Sequence, residues 1–273
     1  MQYSRRAAIM TGLAVILSAG FSLAQTTAPS FDVASVKRNA TGAAGEQVRV
    51  MPGGRLEVRN MTLRMLVQQS YRVMPFQISG GPKWMDSSRF DIVARADGDT
   101  GADALFLRLK TLLEERFALK AHREIREQSV YLLTTAKSGA KVERAEGTCV
   151  ARDPNHPELA PRPGERAPNY CGNMRRGRQS LEGQGEKLSD QNGFTLGTLT
   201  GQLSSILDRP VLDRTGLTGI FNFHLQWMPE QGDDAGSPSI FTALQEQLGL
   251  KLEAGKGPVE LLVIDQAEEP ADN

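Results

Sequence analysis

Residues 113–120 read LEERFALK and residues 244–251 read LQEQLGLK, and the two align without a gap. Leu113 answers Leu244, Glu115 answers Glu246, Phe117 answers Leu248, and Leu119-Lys120 answers Leu250-Lys251, each 131 residues apart. A self-match at a fixed distance constrains a fold more than composition does, because each copy of a unit must bury an equivalent face. The match continues upstream. Phe90-Asp91-Ile92 lies 131 residues before Phe221-Asn222-Phe223, and Thr62-Leu63 with Leu66 lies 133 before Thr195-Leu196 with Leu199. Downstream, Val130-Tyr131-Leu132-Leu133 parallels Val259-Glu260-Leu261-Leu262 at 129. Small changes of offset are what loops of unequal length leave behind after a tandem copy.

The local patterns supply the parts of each copy. Residues 31–36 alternate as a strand, and Val48, Val50, Leu56 and Val58 flank Pro52-Gly53-Gly54 as a hairpin. Thr62 and Thr195 are expected N-caps, each ahead of an apolar helical stripe. Asp103 is the expected cap of the next helix, and Ser237 with Pro238 that of its counterpart, which Gly249 should end. Residues 221–227 alternate with Phe221, Phe223, Leu225 and Trp227 inward. Residues 119–125 with 130–134 read as a hairpin, and 250–252 with 259–264 as another around Gly255 and Gly257. The expected architecture is α+β: two tandem copies of a β-α-β-β-α-β-β unit, antiparallel sheets with helices packed on one side.

The first 24 residues read as an export signal. Arg5 and Arg6 give a positive start, residues 7–20 an apolar stretch, and Ser22 and Ala24 small residues before a cleavage point at Gln25. Thr11, Gly12, Ser18 and Gly20 interrupt the apolar run, so no stable membrane span is expected after cleavage. An exported chain meets an oxidising compartment, where its two cysteines, Cys149 and Cys171, are expected to pair. Five prolines stand between them with no apolar periodicity, so the bridge would hold what burial cannot, worth about 3 kcal/mol. The expected organisation is a signal peptide over 1–24, a first repeat over 25–145, a Pro-rich disulfide-closed insertion over 146–180 and a second repeat over 181–273.

Chemistry-bearing patterns are sparse. Lys+Arg 32 balance Asp+Glu 32, which gives no global field to draw nucleic acid or an anionic membrane. The three histidines, His122, His156 and His224, stand apart, and no HExxH occurs, so neither a metal nor a cofactor is expected. Ser138 and Lys141 match SxxK in spelling, but the motif follows a strand and contains Gly139, whereas that chemistry needs the serine at a helix start. No catalytic residue is assigned. Candidate ligand-contact loops are Gly80, Gly81 and Trp84 in the first half and Asp213, Arg214 and Gly216 in the second. For the second loop a glycine turn closed by Asp213 is the plainer reading, and Trp84 reads equally as exposed anchor or core ring.

Several strings together resemble a known family. They are FDVASVK (31–37), PGGR (52–55), ISGGPKW (78–84), Cys171-Gly172, VLDRTGLTGIFNF (211–223), ALQEQLGLKL (243–252) and the tail 263–270. The chain is similar to an uncharacterised family of secreted proteins, a domain of unknown function expanded in soil acidobacteria. Copies of it also occur attached to membrane metallopeptidases of the β-lactam-sensor type. The resemblance implies export and carries no catalytic residue across. Lacking HExxH, this chain does not inherit the peptidase activity.

A duplicated α+β body without a titratable cluster suits recognition better than chemistry. The expectation is an exported, non-catalytic envelope protein that binds or senses a protein, peptide or glycan. The alternative is a periplasmic hydrolase whose carboxylates are drawn from separate elements.

Overall fold

A computed structural model of the 273-residue chain describes residues 28–41, 45–98, 100–145, 193–228 and 238–270, with the backbone alone at 175–179 and 185–189. The first half opens with β1 (Val33–Arg38), β2 (Gln47–Met51) and β3 (Arg55–Thr62), followed by helix α1 (Leu63–Tyr71). Then come β4 (Ile78–Gly80), β5 (Arg89–Arg95), α2 (Ala102–Arg116) and the long strand β6 (Lys120–Thr135). After β7 (Glu143–Arg144) the second half runs β8 (Arg175–Gln179), β9 (Gly185–Ser189), α3 (Leu196–Leu207), β10 (Val211–Asp213), β11 (Phe221–Asn222) and β12 (His224–Trp227). It closes with α4 (Ile240–Ala243), a π turn over Leu244–Leu248, and the second long strand β13 (Leu250–Gln266). The class is α+β, as the alternation patterns predict.

Two sheets follow the same plan. In the first half the order is β1-β5-β3-β2, all antiparallel; in the second, β12-β9-β8 stack in the matching order. The apolar faces of these strands and helices build two cores. Val36, Leu56, Ile92, Leu66 and Leu113 lie in the first, and Leu199, Leu225, Trp227 and Leu244 in the second. Burying such side chains supplies roughly 1.5–3 kcal/mol each.

A two-stranded ribbon ties the halves together. Strand β6 pairs antiparallel with β13 over its whole length, Lys120 against Gln266 and Thr135 against Leu250. The expected hairpins at 119–134 and 250–264 are therefore corrected to two unbroken strands. Gly255 and Gly257, read as turn residues, sit mid-strand. A Cβ on Gly257 would lie 2.5 Å from Leu212 Cδ1, and one on Gly255 would lie 2.9 Å from Leu132 Cδ1. Their role is room: Leu132 and Leu212 fold over the ribbon beside the small cluster of Val130, Val259 and Leu261. Both larger cores press on the opposite face, through Ala121, Leu133, Leu252 and Ile264.

Each half also lends a strand to the other. β4 pairs in parallel with β13, Ile78 against Leu262, while β10 pairs in parallel with β6, Val211 against Tyr131. The central sheet β10-β6-β13-β4 is thus mixed, where wholly antiparallel sheets were expected. The exchange extends to the helix ends. The Leu248 carbonyl accepts from Lys141 N–H (2.8 Å), just after β6, and the matching Phe117 carbonyl accepts from Glu268 N–H (2.7 Å), just after β13.

The caps follow the sequence in part. Thr62 and Thr195 cap their helices, each side chain accepting the backbone N–H three residues on (3.3 and 3.2 Å), and Gly249 ends the last helix at φ 62°. Asp103 does not cap α2. Gly101 holds that position, leaving the Asp103 carboxylate in the first turn to pair with Arg72. Ser239, not Ser237, caps α4 by accepting from Thr242 N–H. The signal segment 1–24, Cys149, Cys171, His156 and Ser237 lie outside the described residues.

Candidate functional site

The two loops singled out from the sequence do not converge. Gly80 pairs beside Ile264 at one end of the ribbon, and Asp213 pairs beside Leu133, which faces Leu252, near the other. Twelve steps along the strand from Leu252 to Ile264 put about 40 Å between them. Each has a structural task. Gly80 and Gly81 let the chain turn against β13, where a Cβ would lie 2.9 Å from the Ile264 carbonyl oxygen and 2.5 Å from Met85 Sδ respectively. Trp84 stacks on Phe117 (6.5 Å, 17° between planes) and meets Phe90 edge-on, so its ring closes the first core. Asp213 Oδ1 accepts from both Thr215 N–H (2.9 Å) and Thr215 Oγ1 (2.8 Å), Arg214 N–H donates to the Leu133 carbonyl, and Gly216 takes φ 72°. That is a self-closed turn.

The concavity that stands out lies on a surface with no motif. Strands β1, β5, β3 and β2 turn Val36, Ile92, Leu56, Val58 and Val48 to the core, so the alternate residues Ser35, Lys37, Asp91, Val93, Glu57, Arg59 and Gln47 face the other way. They floor a groove of about 660 Å³. Its rim is built by a bulge. Register between β3 and β5 shifts between Val58 and Met61, where Asn60 takes φ 55°. The Asn60 N–H turned out by this bulge donates to Asp91 Oδ1 (2.8 Å), and Asn39 Nδ2 donates to the same oxygen (2.9 Å). Asn39 Oδ1 in turn accepts from Thr41 N–H and Oγ1. Arg89 Nη1 donates to the Asn60 carbonyl (2.7 Å) and to Glu46 (2.9 Å). The connection leaving β1 is thereby tied to the bulge at Asn39, and the one entering β2 at Glu46.

The groove's chemistry is that of recognition. Its carboxylates are engaged: Asp91 by two donors, Glu57 by Arg55, Glu46 by Arg89. Val93, 47% exposed, gives the floor an apolar patch. Among the described residues no aromatic ring lines it. Sequence reasoning missed this set because its members come from strands between residues 35 and 93 and have no spacing in common. The signal was there in the polar alternate of each strand, Ser35/Lys37, Glu57/Arg59 and Asp91.

Elsewhere the described histidines are superficial. His122 Nδ1 lies 2.9 Å from Asp265, and His224 faces solvent beside Gln226. Glu124 is held below the usual carboxylate range chiefly by the hydrogen bond it accepts from Arg126. Burial, with the neighbouring Glu114 carboxylate, pushes the Tyr71 phenol well above its ordinary value. Among the described residues no three His, Cys, Asp or Glu side chains are grouped to hold a metal ion, and no helix is long and apolar enough to cross a membrane.

No curated protein and no solved structure matches the chain. One family does, over residues 64–267, a stretch that begins in α1 and ends just past β13. On that match the chain belongs to the family described as a protein of unknown function, DUF3738.

Proposed function

We propose that this chain is exported and works by binding, holding a segment of an envelope partner on the outer face of its first sheet. The observation that carries the reading is a four-stranded sheet whose apolar face is buried while its polar face, concave and rimmed by a hydrogen-bonded bulge, is covered by no described element. A sheet face of this kind offers rows of side chains at fixed spacing, which suits an extended partner. The open edges of the ribbon suit it less. Residues 120–128 carry Lys120, Arg123, Glu124, Arg126 and Glu127, and β13 carries Pro258, devices that discourage strand addition.

The alternative of a hydrolase has one observation in its favour, that Glu57 and Asp91 share the groove. A general acid must have a proton to give, and an acid–base pair must flank a free space. Asp91 instead receives two hydrogen bonds on one oxygen and Glu57 sits in an ion pair, so both carboxylates serve the scaffold.

Export, cleavage before Gln25 and a Cys149–Cys171 bridge belong to the same reading, and so does descent of the two halves from one copied unit, supported by their common order of elements. Hydrogen exchange on the chain from Gln25, with and without a fractionated envelope extract, tests the binding role. Protection should concentrate in β1, β3 and β5 and disappear in Ser35→Trp, which fills the groove. Protection confined to the helices or to the ribbon would overturn the reading.

A further inference from the structure

The outer face of the first sheet pairs off its anions and leaves most of its cations unsatisfied. Glu57, Asp91 and Glu46 are all engaged by donors of the protein. The side chains of Lys37, Arg49 and Arg95, on the same face, hold no hydrogen bond or ion pair among the described residues. Arg59 has only a 3.9 Å contact with Glu57 and is 65% exposed. The register sets these cations around the groove. Lys37 faces Asp91 in the row nearest the bulge, Arg49 ends the Ser35–Val93–Glu57 row, and Arg95 lies one row further along, beside Arg55. A chain of zero formal net charge has therefore concentrated unpaired positive charge on one concave face around an apolar floor.

Resting on the binding role argued above, we infer that the groove takes an acidic peptide segment, with carboxylates against Lys37 and Arg59 and an apolar side chain over Val93. Two features select a peptide over other anions. Among the described residues no ring lines the groove for a sugar or a base to stack on, whereas single-stranded nucleic acid draws much of its affinity from such stacking. In addition, the Gln47 amide and the Ser35 hydroxyl supply both donors and acceptors on the floor, as a peptide backbone requires.

The test is fluorescence polarisation with the chain from Gln25, which contains every described residue, and three labelled peptides of about twelve residues. One alternates Glu with Val, one replaces each Glu by Gln, and one replaces each Glu by Lys. The acidic peptide should bind at least about tenfold more tightly than the Gln peptide and weaken as salt rises from 50 to 300 mM, since exposed charges are screened. Lys37→Gln with Arg59→Gln should lower that affinity about tenfold, while Lys251→Gln with Lys256→Gln, on the ribbon, should leave it unchanged. A thermal melt confirms that each variant folds. Equal binding of the acidic and Gln peptides, lost in Ser35→Trp, would overturn the acidic preference and leave the groove standing as the binding face. Binding that survives Ser35→Trp, binding of a labelled oligonucleotide in preference to the acidic peptide, or binding of no peptide at all would overturn the inference and count against the groove itself.

Discussion

The two halves end their second helices with the same sequence pattern and the same backbone turn, yet put different residues at the turn. Ala118 and Gly249 are 131 residues apart, and both take a positive φ, 45° and 62°. The first helix reaches its turn as a regular α-helix, whereas the second loosens into a π turn over its last five residues. The neighbours account for the choice of residue. A Cβ on Gly249 would lie 2.1 Å from the Gly139 carbonyl oxygen and 3.0 Å from Lys141 N, in the segment that leaves β6 and folds back over this turn. Ala118 meets no such obstacle, and its half-buried methyl is accommodated. The lesson is that an αL position does not by itself demand glycine. Close approach by another part of the backbone does.

Substitutions can break this comparison. Gly249→Ala carries the largest expected effect, because it adds a methyl against main chain as well as strain at positive φ. A loss of about 3 kcal/mol is expected from denaturant unfolding, and a loss under about 1 kcal/mol would show that the 139–141 segment yields freely. Next come the matched caps. Thr62→Ala and Thr195→Ala each remove one hydrogen bond to a helix N-terminus and should lower stability by about 1 kcal/mol apiece. Unequal losses would reveal that one helix draws more of its stability from its core.

Ala118→Gly should move the other way. Relief of the left-handed strain is offset by the freer unfolded chain, leaving a gain of about 0.5 kcal/mol, readable as a small rise in melting temperature. The smallest effect is one of pH. Tyr71 in α1 donates to Glu114 (3.0 Å), whereas the residue 133 positions on, Ser204, is buried and accepts from Val211 N–H. Burial first, then the Glu114 charge, raises the folded phenol's pKa. The stability linked to this proton is complete below the ordinary phenol value of 10.0 and is lost as the pH rises beyond it. Melts between pH 8 and 11 should therefore fall more steeply for the native chain than for Tyr71→Phe. Parallel curves would discard the linkage.

Much of this fold was legible in the sequence, and the failures have physical causes. Thr62, Thr195 and Gly249 declared helix ends because capping is a local hydrogen-bond problem. Phe221, Phe223, Leu225 and Trp227 declared a buried face because alternation is local too. The ribbon was hidden. Glu127-Gln128-Ser129 and Gly255-Lys256-Gly257 look like turns, and only their mutual pairing, with Leu132 and Leu212 folded over the glycines, keeps both strands straight. Asp103 and Ser237 looked like caps because the sequence does not show that Arg72 claims the first or that α4 starts at Ile240. The groove was hidden for a related reason. Asp91 acquires its role from a bulge at Asn60 and an amide at Asn39, residues that no window of sequence places together.

The reciprocal loan of β4 and β10 makes the halves inseparable in a literal sense. A protease that cut between residues 145 and 193 would release no free domain. The fragment ending before the cut would lack the partner for its own short strand, and the fragment after it would lack the rail on which β10 rests. Cleaved but undenatured, the two pieces should travel as one particle, clasped like links that part only when one of them opens.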